Sequence, residues 1–208
     1  VMVTGATALL ALSAWLTIYF IGERAAGNTA EMLLTSSVEW FPSLNICYAV
    51  GVDGISVVML LLSSIIVFTG TFATWQLKNM PKEFFLWFTL LSTGVYGFFI
   101  TIDLFSMFMF YEVALIPMYL LIGYWGSGNK EYAAMKLTLM LMGGSALIIL
   151  GLVGIYFFNG ATTMNILDIA HNNCIPADIQ NVLFPFVFIG FGVLGALFPF
   201  HTWSPIGH

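Results

Sequence analysis

Charge is nearly missing from this chain. Only 7% of its 208 residues are Asp, Glu, Lys or Arg, against 60% hydrophobic, and the net charge is −5. A soluble domain carries roughly 25% charged residues, so a water-facing globular surface is excluded. Five basic residues make no patch for nucleic acid, and no nucleic-acid partner is expected. Cysteine is scarce as well: Cys47 and Cys174 stand far apart, with no Cys-x-x-Cys pair to suggest redox or metal chemistry. The chain also lacks G-x-G-x-x-G, a Walker-type loop, a haem C-x-x-C-H and a ferredoxin cysteine run. Nothing visible is built to hold a nucleotide, carry electrons or form a covalent intermediate. A basic n-region and an A-x-A cleavage site are missing from the first residues, which predicts a spanning helix there rather than a signal peptide.

What is present is long apolar runs, with a mean hydropathy of +0.99. A membrane helix needs about 20 mainly apolar residues. Six segments qualify, at about 2–21, 54–75, 84–101, 104–125, 132–157 and 182–200, and predict one all-α, polytopic transmembrane domain over 1–208. The charges fall mostly between the spans. The connection 22–53 carries Glu23, Arg24, Glu31 and Glu39 and ends at Asp53-Gly54, a cap-like start for the second helix. The connection 76–83 holds Lys78 and Lys82, and the glycine-rich 126–131 holds Lys130. Asp103 alone separates the third and fourth spans, while 158–181 carries Asp168, His171 and Asp178. Lysine enrichment puts 76–83 and 126–131 in the cytoplasm and the other three connections outside.

Against this background three titratable residues matter. Glu112 stands in IDLFSMFMFYEVALIPMYLLIGYWG, nine residues past Asp103, about 13 Å deep at 1.5 Å per residue. An unpaired charge at the bilayer centre costs at least ~2.5–3.5 kcal/mol, so such a residue is read as functional by default. A carboxyl there can load and release protons, or stay protonated and bond a neighbouring helix. Pro117, five residues on, removes a backbone donor and can kink the span. Lys136 lies about 8 Å inside the opposite edge, leaving an axial gap of about 12 Å to Glu112. It either biases the acid through intervening polar groups or snorkels to the headgroups. His201 sits in LGALFPFHTWSP, where Pro199 breaks the last span. An imidazole at such a break is a natural proton relay, or a packing residue beside Trp203. His171 is a solvated loop residue, and His201 with His208 makes no metal spacing, so no metal site is expected.

Four stretches together resemble a known family: VGVDGISVVMLLLSS (50–64), DLFSMFMFYEVALIPMYLLIGYWG (103–126), NKEYAAMKLTLMLMGGSALI (129–148) and GVLGALFPFHTWSPIGH (192–208). Their order and spacing are similar to those of the antiporter-like membrane subunits of respiratory complex I, the chain M group of bacterial NADH-quinone oxidoreductases (chain 4 in mitochondria). That resemblance covers about 38–208. It implies an inverted-repeat bundle of about fourteen helices with a broken helix in each repeat, of which this chain is a fragment supplying roughly the second to seventh. It further implies proton translocation coupled to NADH-to-quinone electron transfer in the bacterial inner membrane, beside other membrane-arm subunits. NADH, flavin, iron–sulfur clusters and quinone would belong to partner subunits, with no cofactor in this chain. Glu112 matches the family's membrane glutamate, Lys136 a lysine of the next helix, and His201 the broken-helix motif. Leu194 departs from the pattern: the family usually has a lysine there, as the glutamate's ionic partner. The resemblance leaves two rivals, a cation/proton antiporter or membrane-bound hydrogenase subunit sharing the fold, and a non-pumping scaffold of the membrane arm.

Overall fold

The computed structural model describes residues 2–42, 45–77, 80–172 and 175–207. Lys78, Cys174 and His208 lie outside them. In chain order the elements begin with α1 (Met2–Ala25), the strands β1 (Leu33–Phe41) and β2 (Ile46–Val52), α2 (Gly54–Ala73) and α3 (Pro81–Ile100). They continue with α4 (Leu104–Trp125), α5 (Lys130–Phe158), α6 (Ile166–Asn172), α7 (Ala177–Leu194), a 3-10 turn (Phe200–Trp203) and α8 (Ser204–Gly207). Six of these helices are long and apolar enough to cross a membrane. They coincide with the six predicted spans, with shifted bounds. The largest shift is in the last, which runs Ala177–Leu194 rather than 182–200.

Local chemistry starts the helices where the sequence expects. Asp53 caps α2, its side chain accepting from Ser56 N at 2.7 Å. Asp103 does the same for α4, accepting from Ser106 N at 2.9 Å. Each bond satisfies one of the amide donors that a helix start leaves open. Pro81 occupies the first turn of α3, where a missing N–H costs nothing.

Within the connection 22–53, read as polar loop, the chain forms an antiparallel hairpin. Val38 pairs with Tyr48 and Leu33 with Val52. The run ICYAVGV carries β-branched and aromatic residues at strand spacing, and its Ile46, Ala49 and Val52 are buried. Glu31 and Glu39 mask that signal when the segment is read for charge. The hairpin then ties one end of the bundle together. Val50 bridges Thr101, and Ile102 N donates to the Ala49 carbonyl at 3.0 Å. Asn45 Nδ2 donates to the Ala161 carbonyl at 3.1 Å, and Glu31 pairs with His171 at 3.3 Å. The first, third and fifth connections therefore meet on one side, as six alternating spans require.

The helices pack in sequence: α1 on α2, α3 on α4, α4 on α5 and α5 on α7. Lipid gives no hydrophobic drive for such contacts, so small residues that admit close backbones carry them. At α5–α7 the approach is closest around two glycines. A Cβ on Gly190 would stand 2.9 Å from the Gly144 carbonyl, and one on Gly144 3.0 Å from the Gly190 carbonyl. Beside this seam Leu137, Leu141 and Ile148 of α5 are buried almost completely. Replacing Gly190 with Ala should therefore lower the thermal unfolding midpoint of the detergent-solubilised protein, at the ~1–3 kcal/mol typical of overpacking. Gly143→Ala, where a Cβ meets nothing within 4 Å, should leave it unchanged or raise it.

Candidate functional site: a carboxylate on α4 beside a broken helix

Glu112 is the ninth residue of α4, about 12 Å along a 22-residue helix. Its side chain is half-buried, and its Oε1 is buried with no hydrogen-bond partner among the described residues. The next residues explain why this part of α4 stays polar. Pro117 is buried inside the helix and has no N–H, so the Val113 carbonyl lacks its usual partner four residues on. On the face toward α5, Tyr111 is buried and its Oη reaches the Leu141 carbonyl at 3.4 Å. Ser145 Oγ donates to that same carbonyl at 3.0 Å. Tyr111, Ser145 and the Leu141 carbonyl thus form a polar group in the α4–α5 contact, one residue from the acid. Sequence reading missed it because a Tyr and a Ser in apolar spans carry no spacing signal.

The break in α7 abuts the same region. The helix ends at Leu194, Ala196 takes a left-handed backbone with φ of +51°, and the chain resumes as the 3-10 turn. Trp203 closes the gap: its Nε1 donates to the Val193 carbonyl at 2.9 Å, satisfying one of the groups the helix end exposes. Trp203 and Val193 pack with Leu115, Leu137 and Leu141 in one apolar cluster. Leu115 lies three residues from Glu112, so the break and the acid occupy neighbouring turns of the bundle. Leu194, at the last turn of α7, packs against this cluster and against the one containing Tyr111.

The other two predicted residues stand apart from Glu112. Lys136 is half-buried and its Nζ sits 5.9 Å from the Tyr132 ring centroid, one turn back toward the start of α5. That direction is the one a snorkelling lysine takes. His201 is exposed in the 3-10 turn, its ring stacked on Phe198 with centroids 5.7 Å apart. Among the described residues no ion pair joins Glu112, Lys136 or His201 to one another, and no three of His, Cys, Asp and Glu gather as a metal site. The break packs against Leu115, one turn beyond Glu112, and among the described residues no ion pair reaches the acid from the lysine or the histidine.

Replacing Trp203 with Phe keeps the ring in its cluster and removes the bond to the Val193 carbonyl. The Val193 carbonyl keeps the Ala196 amide at 3.2 Å, so the loss is that of one net hydrogen bond, about 0.5–1.5 kcal/mol. Amide hydrogen exchange across 193–203 should accelerate in this variant, with exchange in α3 unchanged.

Residues 101–208 match the family described as NADH:quinone oxidoreductase/Mrp antiporter, TM. The chain is 33% identical over 175 residues to NAD(P)H-quinone oxidoreductase chain 4-2 of Synechocystis sp., covering 84% of this chain and 31% of that protein. It is 35% identical over 182 residues to chain 4 3 of the same oxidoreductase in Picosynechococcus sp., covering 87% and 33%. The chain therefore spans about a third of the length of the curated relatives it matches. In fold it is similar to a chain of respiratory complex I from Thermus thermophilus with bound NADH, at a TM-score of 0.84 and 24% identity over 100% of this chain and 42% of that one. It is also similar to a chain of the Mrp complex from Dietzia sp., at a TM-score of 0.70 and 18% identity over 97% and 22%. With its six membrane-length helices the chain is an integral, multi-pass membrane protein, and it belongs to the NADH:quinone oxidoreductase/Mrp antiporter transmembrane family.

Proposed function

We propose that this chain is part of a proton-translocating membrane subunit of an NADH-quinone oxidoreductase. It would couple electron transfer in partner subunits to proton movement across a bacterial inner membrane. The observation that carries this reading is Glu112: a half-buried carboxyl with an unpartnered Oε1, midway along a membrane-length helix and next to a broken one. A group so placed gains nothing as structure, because a neutral side chain would avoid the cost of taking a charge out of water. In this reading Glu112 binds and releases the transported proton. Tyr111 and Ser145 keep that stretch of the α4–α5 contact polar, and the break in α7 supplies backbone groups that can hold water. Lys136 biases the acid's charge at long range, from about 12 Å along the bundle axis. His201 passes protons between the break and the cytoplasmic surface. NADH, flavin, iron–sulfur clusters and quinone are assigned to partner subunits of the membrane and peripheral arms.

Leu194 favours a second reading. Packed in two apolar clusters, it offers Glu112 no counter-charge, as a non-pumping scaffold would allow. The two readings differ at Glu112→Gln, which keeps the side chain's shape and removes its titration. In the complete subunit, assembled and reconstituted in vesicles, this variant should assemble normally and lose NADH-driven proton uptake. A wild-type proton-to-electron ratio in the variant would contradict the first reading and leave the scaffold.

A further inference from the structure

In the contact of α4 with α5, one carbonyl has more donors than it can use, and the acid beside it has too few. The Leu141 carbonyl takes the Ser145 Oγ hydroxyl at 3.0 Å and the Tyr111 phenol at 3.4 Å. Inside α5 it also takes the Ser145 amide, four residues on, as a regular helix requires. A carbonyl oxygen offers two lone pairs, so one of the three donors is in excess. The phenol is that donor: its bond is the longest, beyond the roughly 2.5–3.0 Å of an ordinary O–H···O bond. Ser145 Oγ is a further partner of the phenol, and the Glu112 carboxylate acts on the phenol electrostatically. Glu112 Oε1, by contrast, is buried without a hydrogen-bond partner among the described residues.

Packing alone does not account for the tyrosine. Phe would fill the same place in the apolar cluster around Tyr111 without burying a hydroxyl. That hydroxyl can also leave the Leu141 carbonyl with little loss, because the Ser145 amide and hydroxyl stay to serve it.

We propose that Tyr111 is a positioning residue for Glu112, whose hydroxyl points to the Leu141 carbonyl while the acid is protonated and turns to the carboxylate when it is ionised. The two residues are consecutive on α4, about 100° apart around its axis, so the new bond forms directly or across one bridging water. The phenol keeps its proton throughout; only the oxygen that its O–H faces changes. This inference rests on the reading of Glu112 as the group that binds and releases the transported proton. The acid gains a donor in the state in which it lacks a proton, and a hydrogen bond to the charged form favours that form. Ser145 makes the exchange possible by holding the carbonyl that the phenol leaves. Around this pair the neighbouring elements bring the phenols of Tyr48, Tyr96 and Tyr156, with Lys136 inside α5 and His201 at the break. Lys136 leans on Tyr132 and His201 lies exposed on Phe198, and among the described residues no ion pair joins either to the acid.

The test is infrared titration of the complete subunit, assembled in its complex and reconstituted in vesicles, with the Glu112 carboxyl band identified by its loss in Glu112→Gln. Tyr111→Phe keeps the ring and removes the donor. In this variant the band should titrate roughly 1–2 pH units higher, the worth of a hydrogen bond to a charged group. The pH profile of NADH-driven proton uptake should move with it. Ser145→Ala should move both the same way by less, because the phenol is then held at the carbonyl. In the wild type carrying ring-labelled tyrosine, a phenol C–O band should shift in step with the Glu112 band, a readout that needs no substitution at Tyr111. An unchanged Glu112 titration in Tyr111→Phe overturns the proposal. If that variant fails to assemble, a wild-type tyrosine spectrum that ignores the state of the acid overturns it instead. If Glu112→Gln loses uptake while Tyr111→Phe titrates as the wild type does, only this inference fails; wild-type uptake in Glu112→Gln removes the reading on which it rests.

Discussion

Hydrocarbon supplies no hydrogen bonds, so every polar group that this chain carries into the membrane has to be served from within the protein. Most of the architecture follows from that constraint. Ser and Thr hydroxyls inside the helices bond back to carbonyls of the preceding turn, as Thr71 does to Val67 at 2.7 Å. Ser64 bonds both the Leu60 carbonyl, at 2.6 Å, and Ser13 of α1, at 2.5 Å. Where the backbone itself is interrupted, in α7, Trp203 turns back to meet the Val193 carbonyl, and its ring fills the space beside Leu137 and Leu141. The glycines of α5 and α7 bring the two helices close enough for that cluster to form. Among the described residues few buried side-chain atoms are left unpartnered, and Glu112 Oε1 is the one set deepest along its helix.

Much of the fold was legible in the sequence because hydropathy is strongly constrained in lipid. Six apolar runs became six helices, Asp53 began one as its cap, and the Leu-Phe-Pro-Phe-His stretch at 197–201 interrupted the last. The bounds were less legible. Helix α7 stops at Leu194, five residues ahead of Pro199, where Ala196 turns left-handed and the Ala196 and Leu197 amides close on the Val193 and Gly192 carbonyls. The hairpin was hidden for another reason. Strand alternation over seven residues is a weak signal, and charges at Glu31 and Glu39 suggest solvent whether the backbone is extended or irregular.

The site was legible one residue at a time, not as an assembly. A lone acid in an apolar span announces itself by its cost, and Glu112 did. Tyr111 and Ser145 gave no such signal. A tyrosine is common in membrane helices, and a serine can bond its own helix. Their roles depend on which helices pack, and that is set by small residues such as Gly144 and Gly190. The same packing separates Lys136 from the acid, since its side chain leans back toward Tyr132. Leu194, a departure from the pattern that the resemblance implies, packs between two apolar clusters.

The central claim is that the Glu112 carboxyl changes protonation as the protein works. Infrared difference spectroscopy of the assembled complex, recorded with and without NADH, reads this directly. The account predicts a carboxyl band that changes during turnover in the wild type and is missing in Glu112→Gln. A Glu112 band that stays the same whether or not NADH is being oxidised would contradict it.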